Sequence, residues 1–178
     1  QRERLRLDPG VNPEQTARLA QLEAMRSTSQ AGAAVAQSVA LEKEAQAMQQ
    51  SGQSAGVADK LRDALRLQHE ANANAPPAGA RDFSREARLA QAIELAETEP
   101  LHATRENALA LAHAAAAQEH WDDALKAYGD ARTAQAEINQ QHPTARYADP
   151  TALDQIDGEI ASLQARGLLA ATVAREHD

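Results

Sequence analysis

The sequence predicts an all-α fold, an α-α superhelix in which antiparallel helical hairpins stack as a solenoid. Apolar residues recur at steps of three and four along most of the chain, and β-branched residues nowhere alternate as in a strand. Hydrophobic residues make up 43% of the chain but aromatic residues only 2%, because alanine dominates. Such a composition suits a one-layer array of closely packed helices better than a deep core.

An internal period supports the same fold class. Pro9, Pro76 and Pro143 are evenly spaced along the sequence. A Gln-x-Glu sequence ends six residues before each proline, as at Gln135 and Glu137. Because the period of about 67 is close to twice 34, we expect each unit to hold two helical hairpins. Residues 1–178 are therefore interpreted as a single helical-repeat domain with breaks near residues 9, 76 and 143, and as a fragment of a longer array.

The N-terminal part is predicted to contain several short helices. Residues 1–7 have the pattern of the last turns of a helix, and Asn12-Pro13 provides a cap and a first-turn proline for the next. Residues 27–32 weaken that helix, and residues 51–56 form a turn of serine and glycine. The inward-facing residues are expected to be Leu19, Leu22, Met25, Val35, Leu41, Ala45, Met48, Val57, Leu61, Ala64, Leu65 and Gln68.

Beyond the polar connection 72–79, further helical segments are predicted on both sides of residues 106–143. Ser84 is expected to cap a helix that Pro100 breaks. Asp149-Pro150 repeats the cap-plus-proline start, Gly167 is expected to break that helix, and residues 168–173 are expected to begin a final one. The apolar stripes of these helices are Leu89, Ile93, Leu153, Ile156, Ile160 and Leu163.

Residues 106–143 contain two amphipathic helices that must bury their stripes on each other or on a neighbour. The pattern loses phase at Glu119-His120, and Pro143 stops the second helix. The two stripes are Ala108, Leu111, Ala112 and Ala115, then Trp121, Ala124, Tyr128 and Ala131. Over residues 105–138 this segment resembles a tetratricopeptide (TPR) repeat, a 34-residue helix–turn–helix. Glu119 replaces the turn glycine of that family, and its closing proline is missing.

The resemblance implies a peptide-binding groove beside the packing positions of the first helix. Carried over residue by residue, the groove positions are Glu106, Leu109, His113 and Ala116, and those one period earlier are Val39, Glu42, Gln46 and Gln49. The basic pair with which some relatives hold a carboxylate is absent, so an acidic C-terminal tail is not the expected ligand. A solvated concave face is the alternative interpretation.

No catalytic or metal-binding constellation is predicted. His113 and His120 are seven residues apart, whereas two helical ligands of one ion lie four apart. The chain has no cysteine, no glycine-rich phosphate loop and no G-x-S-x-G elbow. Trp121 and Tyr128 are assigned to packing rather than to stacking on a base or sugar. We therefore expect no enzyme activity, no metal and no cofactor.

The predicted function is a scaffold for protein–protein interaction, with a protein or peptide as partner. The alternative is a structural or self-assembling helical spacer of a bacterial-type cell envelope. A net charge of −8 argues against nucleic acid, and no apolar run is long enough for membrane insertion. Because the chain starts at Gln1, a secreted or periplasmic envelope location is favoured over the cytoplasm, although the sequence leaves the compartment open.

Overall fold

The computed structural model describes residues 13–76, 79 and 81–176. These residues form five α-helices and contain no strand, which confirms the predicted all-α class. The helices are α1 (Pro13–Gln50), α2 (Val57–Asn74), α3 (Phe83–Ala117), α4 (Trp121–Gln141) and α5 (Pro150–Glu176). None of the helices in the described ranges combines the length and the apolar character that crossing a membrane requires. The predicted break at Pro9 and the helical turns of residues 1–7 lie outside the described residues.

Two helices continue through residues where the sequence predicts a break. α3 runs for 35 residues with Pro100 inside it, although an interior proline costs about 3 kcal/mol. Buried side chains lie on both sides of that proline, including Leu89 and Ala112. Packing of the two flanking segments therefore outweighs the local penalty. α5 likewise continues through Gly167.

α1 also differs from its predicted pattern. It is a single helix of 38 residues that passes through the weak stretch 27–32. Its predicted inward stripe in the first turns, Leu19, Leu22 and Met25, stays exposed. Periodicity shows that these residues share a face, but it does not show whether another element covers that face.

The described residues divide into two units. The first comprises residues 13–47 and 60–90, which are most of α1, most of α2 and the first turns of α3. Its α1–α2 contact includes a cluster of Ala34, Leu67 and Ala71. The Ser38 hydroxyl donates a hydrogen bond of 2.7 Å to the Ala64 carbonyl oxygen. Such a contact requires a close approach of the helices, which small residues at the contact permit.

The second unit comprises residues 48–59 and 91–176 and is built on the remainder of α3 with α4 and α5. The three helices share one core of mainly small residues, with Tyr128 as its largest buried side chain. The core residues are Ala108, Ala112, Ala124, Ala127, Tyr128, Ala131, Ile156 and Leu163. Leu111, predicted from the sequence to belong to this stripe, points to solvent with 66% of its surface exposed.

Positions separated by one sequence period have the same local structure. The ends of α2 and α4 are one period apart, and so are the starts of α3 and α5 and the ends of α1 and α3. Six buried positions of the two short helices correspond as well. They are Val57, Leu61, Ala64, Leu67, Gln68 and Ala71 in α2, and Ala124, Tyr128, Ala131, Ala134, Gln135 and Ile138 in α4.

The turns before the short helices correspond in their hydrogen bonds. After α1, the amide of Gln53 donates to the Met48 carbonyl at 2.9 Å, and after α3 the amide of His120 donates to the Ala115 carbonyl at 2.9 Å. This bond marks a helix end that needs one residue in the left-handed region. Gly52 occupies it with a φ of 76°, and Glu119 occupies it with a φ of 60°. The glutamate thus adopts a conformation that favours glycine.

The corners after the short helices also match. Asn72 Oδ1 accepts from the side-chain amide of Gln68 and from the backbone of Asp82, at 3.2 and 2.9 Å. Asn139 Oδ1 accepts from Gln135 and from the backbone of Asp149, at 2.9 and 2.8 Å. Both aspartates then cap the next helix, where Asp82 accepts from Arg85 N–H and Asp149 from Thr151 and Ala152 N–H. The α3 cap is therefore Asp82 rather than the predicted Ser84.

Candidate functional site

An open groove of about 420 Å³ lies between α3 and α5 over the surface of α4. α3 contributes Arg105, Leu109 and His113 to its lining, and each of these residues is one helical turn from the next. α4 contributes Tyr128, and α5 contributes Gln155, Ile156 and Glu159 among others. The floor is apolar, because Ile156 is buried and Leu109 packs against the core. The rim is polar.

Arg105 forms one end of the groove and is held by neighbouring groups. Its guanidinium donates to the side-chain oxygen of Gln135 and to the Glu106 carboxylate. The arginine hydrogen bond and charge lower the pKa of Glu106, whereas partial desolvation opposes the shift. Gln135 in turn donates to the Tyr147 carbonyl at 3.0 Å. Because its charge is already paired, Arg105 stabilises the α3–α4 contact more than it attracts an anion.

His113 and Tyr128 meet inside the groove, with ring centroids 5.7 Å apart and planes inclined by 56°. Burial raises the pKa of the Tyr128 phenol, and the charge of Glu159 raises it further. The phenol therefore stays protonated well into the alkaline range. With Glu159 at the rim, the groove offers a carboxylate beside an apolar floor, which suits an apolar side chain followed by a donor or cation.

The four groove positions predicted in the central pair have different surroundings. Leu109 and His113 line the groove together. Glu106 is exposed and pairs with Arg105. Ala116 is half-buried and packs against the core. Two of the four predicted residues therefore line the open groove side by side, and the other two make neighbouring contacts.

The four positions predicted one period earlier have unlike surroundings. Val39 is half-buried, and Gln46 is exposed. Glu42 forms an ion pair of 2.6 Å with Arg85. Gln49 lines a separate groove of about 530 Å³ with Val57, Leu95 and Pro100.

Arg85 and its equivalent one period later differ in size and in the contacts that they make. Its guanidinium reaches Glu42 and, at 3.3 Å, the Ser38 hydroxyl, so it occupies the place beside α1. The residue one period later is Ala152, which lines the open groove of the second unit. The small side chain of Ala152 leaves that space free.

Sequence reasoning missed the α5 wall, Gln155 and Glu159, and missed Arg105. The predicted groove positions belong to one helix, whereas the groove needs the helix that follows α4. Arg105 could have been assigned to the groove from its position one helical turn before Leu109.

The histidines considered as metal ligands lie apart. His113 lines the groove described above, and His120 lines another of about 830 Å³ beside Trp121 and Gly167. Within the described part of the chain, no three histidine, aspartate or glutamate side chains are grouped so that they could hold a metal ion. Trp121 is half-buried against the core, as its position in the predicted stripe indicates.

Comparison with models of protein families, with curated proteins and with solved structures finds no match for this chain.

Proposed function

We propose that this chain is a non-enzymatic helical-repeat scaffold that binds a protein or peptide partner, and that the groove of the second unit is its binding site. The observation that carries the proposal is the open space over Tyr128, where Leu109 and His113 face Gln155 and Glu159. An extended or helical peptide fits an elongated apolar floor with a polar rim. Stacking of TPR-like hairpins is part of the same proposal for residues 105–138, and the left-handed turn at Glu119 supports it.

The charges of the groove favour a particular kind of peptide. Glu159 and Asp149 lie in the lining, while Arg105 is paired with Glu106. The chain as a whole carries a net charge of −8. The preferred ligand therefore has an apolar side chain for the Leu109 floor and a basic residue for Glu159.

Peptide display on the full chain tests this function. Peptides selected from a random library are expected to be rich in apolar and basic residues. They should no longer bind the Ala152→Trp variant, in which the indole fills the groove. Ala161→Trp, on an exposed position of the same helix, serves as the matched control and should keep binding. Peptides that bind both variants equally would place the site elsewhere and remove the groove from the proposal.

A self-assembling spacer is the second candidate, and exposed leucines near the end of α5 favour it. Leu168 and Leu169 expose 71% and 67% of their surface. Sedimentation over a range of concentrations distinguishes the candidates. Concentration-dependent oligomers that Leu168→Asp abolishes support assembly, whereas a monomer that captures the selected peptides supports the adaptor.

A further inference from the structure

A groove of about 830 Å³ lies where the turn between α3 and α4 meets the later part of α5. Its apolar wall is formed by Trp121, Leu125, Leu163 and Leu168. Trp121 and Leu125 are half-buried against the core, so each packs with one part of its side chain and lines the groove with another. This Trp121 groove is distinct from the groove over Tyr128, the Tyr128 groove, to which the proposed function assigns peptide binding.

The two grooves follow each other along the same two helices. On α4, Tyr128 lines the Tyr128 groove, and Leu125, nearly one turn before it, lines the Trp121 groove. On α5, Glu159 lines the first groove, and Leu163, one turn after it, lines the second. Their lining along α5 covers residues 152–168, which span about 24 Å at a rise of 1.5 Å per residue. A single rod-shaped ligand can therefore contact both grooves.

Both grooves carry negative charge. The carboxylates that line the Trp121 groove belong to the exposed residues Glu119, Asp122 and Asp123. Among the described residues, no lysine or arginine lines this groove. The Tyr128 groove has Glu159 in its lining, whereas its Arg105 is paired with Glu106. Because carboxylates extend along the whole site, a basic ligand complements it.

The sequence repeat neither fills the Trp121 groove nor accounts for its side chains. One period earlier, the turn between α1 and α2 meets α3 at an open groove of about 530 Å³. Four corresponding positions line both grooves, and in the earlier one they are Gly52, Ser54, Ala96 and Pro100. This earlier groove is open although the chain continues through α4, and its turn, residues 51–56, contains no aromatic or acidic residue. A following repeat therefore does not cover such a groove, and the turn forms without an indole or carboxylates.

We infer that the partner is a basic amphipathic helix of about 17 residues or more, which binds along both grooves and so extends the peptide site of the proposed function, on which this inference rests. The groove walls are helices whose backbone groups bond internally, so they offer no edge with which an extended strand could pair. A helix satisfies its own backbone groups and presents an apolar face to the apolar walls.

Two basic residues beside that apolar face meet the two charged regions. One pairs with Glu159, and the other lies near Asp122 and Asp123. Glu159 and Gly167 are about 12 Å apart along α5, so the two basic residues stand about two helical turns apart. The alkyl stem of the second lies on the Trp121 indole, whose face also attracts its charge.

A labelled synthetic helix of about 20 residues tests the inference by fluorescence anisotropy with the full chain. It carries leucines along one face, two lysines about seven positions apart beside that face, and no tryptophan. Saturable binding is expected, and the double variant Asp122→Asn, Asp123→Asn should weaken it about three- to tenfold at low salt. The matched control, Asp130→Asn with Asp154→Asn, removes the same charge from exposed positions outside both grooves and should change it less than about twofold. Circular dichroism verifies that both variants fold.

Gly167→Phe tests the Trp121 groove by filling it. A Cβ at Gly167 would lie 3.9 Å from the Trp121 Cβ, an ordinary contact, so the fold accommodates the variant, and binding should weaken at least about fivefold. Trp121 is the only tryptophan of the chain, so the saturating peptide should also reduce its quenching by acrylamide. A peptide with its lysines one turn apart should bind about two- to fivefold more weakly.

Ala152→Trp, which fills the Tyr128 groove, distinguishes the two proposals. Loss of binding to Ala152→Trp, with full binding to Gly167→Phe and unchanged quenching of Trp121, would retain the proposed function and overturn the extended site. Binding that neither variant weakens would overturn both. Absence of saturable binding, or equal affinity for both lysine spacings, would overturn the basic helix as the partner.

Discussion

Arg105 and Gln135 are joined across the contact of α3 with α4 by a hydrogen bond from the guanidinium to the amide oxygen. Gln135 is 0% exposed, so its amide depends entirely on protein partners. Its nitrogen donates to Asn139 and to the Tyr147 carbonyl. In the first unit Ser38 stands in place of Arg105, and the buried oxygen of Gln68 accepts no hydrogen bond from the described residues. Two equivalent glutamines therefore have different energetic roles.

Arg105→Ala should destabilise the second unit by about 1–3 kcal/mol, because it leaves a buried acceptor unpaired. Trp121 is the only tryptophan of the chain and lies against this core, so its fluorescence during urea unfolding reports on the second unit. Arg66→Ala is the matched control. Its guanidinium is 65% exposed and forms ion pairs within its own helix, so a change below about 0.5 kcal/mol is expected. Equal losses in both variants would contradict the assigned role of Arg105.

Substitution by leucine should cost much more stability at Gln135 than at Gln68. Gln135→Leu removes partners from Arg105, Asn139 and the Tyr147 carbonyl and should cost about 2–4 kcal/mol. Gln68→Leu removes one hydrogen bond and an unpaired buried oxygen, so a change within about 1 kcal/mol is expected. Urea unfolding followed by circular dichroism measures both. A larger loss for Gln68→Leu would mean that its oxygen has a partner of comparable strength.

Glu119→Gly should stabilise the chain by about 1 kcal/mol, because a left-handed conformation costs a non-glycine residue about 1–2 kcal/mol and glycine only its added unfolded-state freedom. Gly52→Ala places the opposite change at the equivalent turn and should destabilise by a similar amount. Melting temperatures of the two variants provide the comparison. A destabilised Glu119→Gly would show that the glutamate side chain stabilises this turn.

Ionisation of the buried Tyr128 phenol should lower the stability of the fold at alkaline pH. Its pKa is raised above the ordinary value of 10.0, mainly by burial and also by Glu159. The unfolded chain therefore ionises this phenol first, so the stabilisation is complete below pH 10 and is lost as the pH rises through the folded-state pKa. Tyr128→Phe lacks this group and should lose less stability between about pH 9 and 11. Urea unfolding midpoints of the unaltered chain and of Tyr128→Phe, measured across that pH range, test this prediction. Equal slopes of the midpoint against pH would contradict it.

Local patterns sufficed for much of the fold but not for its long helices. Asp149-Pro150 was a reliable helix start, and residues one period apart that share a stripe are buried alike in α2 and α4. The helix break predicted at Pro100 is wrong because the penalty of a proline is local, whereas the packing that outweighs it comes from segments distant in sequence. The predicted burial of Leu111 is wrong for a related reason. An apolar residue at the edge of a stripe is covered only if a third helix reaches it.

The groove was predictable only in part. Leu109 and His113 follow from helical spacing along α3, but their opposite wall comes from α5, which follows the whole of α4 in the sequence. Ala152 lines the open groove of the second unit, whereas Arg85, one period earlier, pairs with Glu42 in the first. The stretch of α3 that lines the groove does not by itself reveal this difference.

The alanine-rich core of the second unit has a thermodynamic consequence. Ala108, Ala112, Ala124 and Ala131 are nearly inaccessible, yet each removes little more than one methyl group from water. The heat-capacity change of unfolding scales with newly exposed apolar area. It should therefore fall below that of a leucine-rich domain of equal length, and the free energy of unfolding should vary unusually gently between cold and warm conditions.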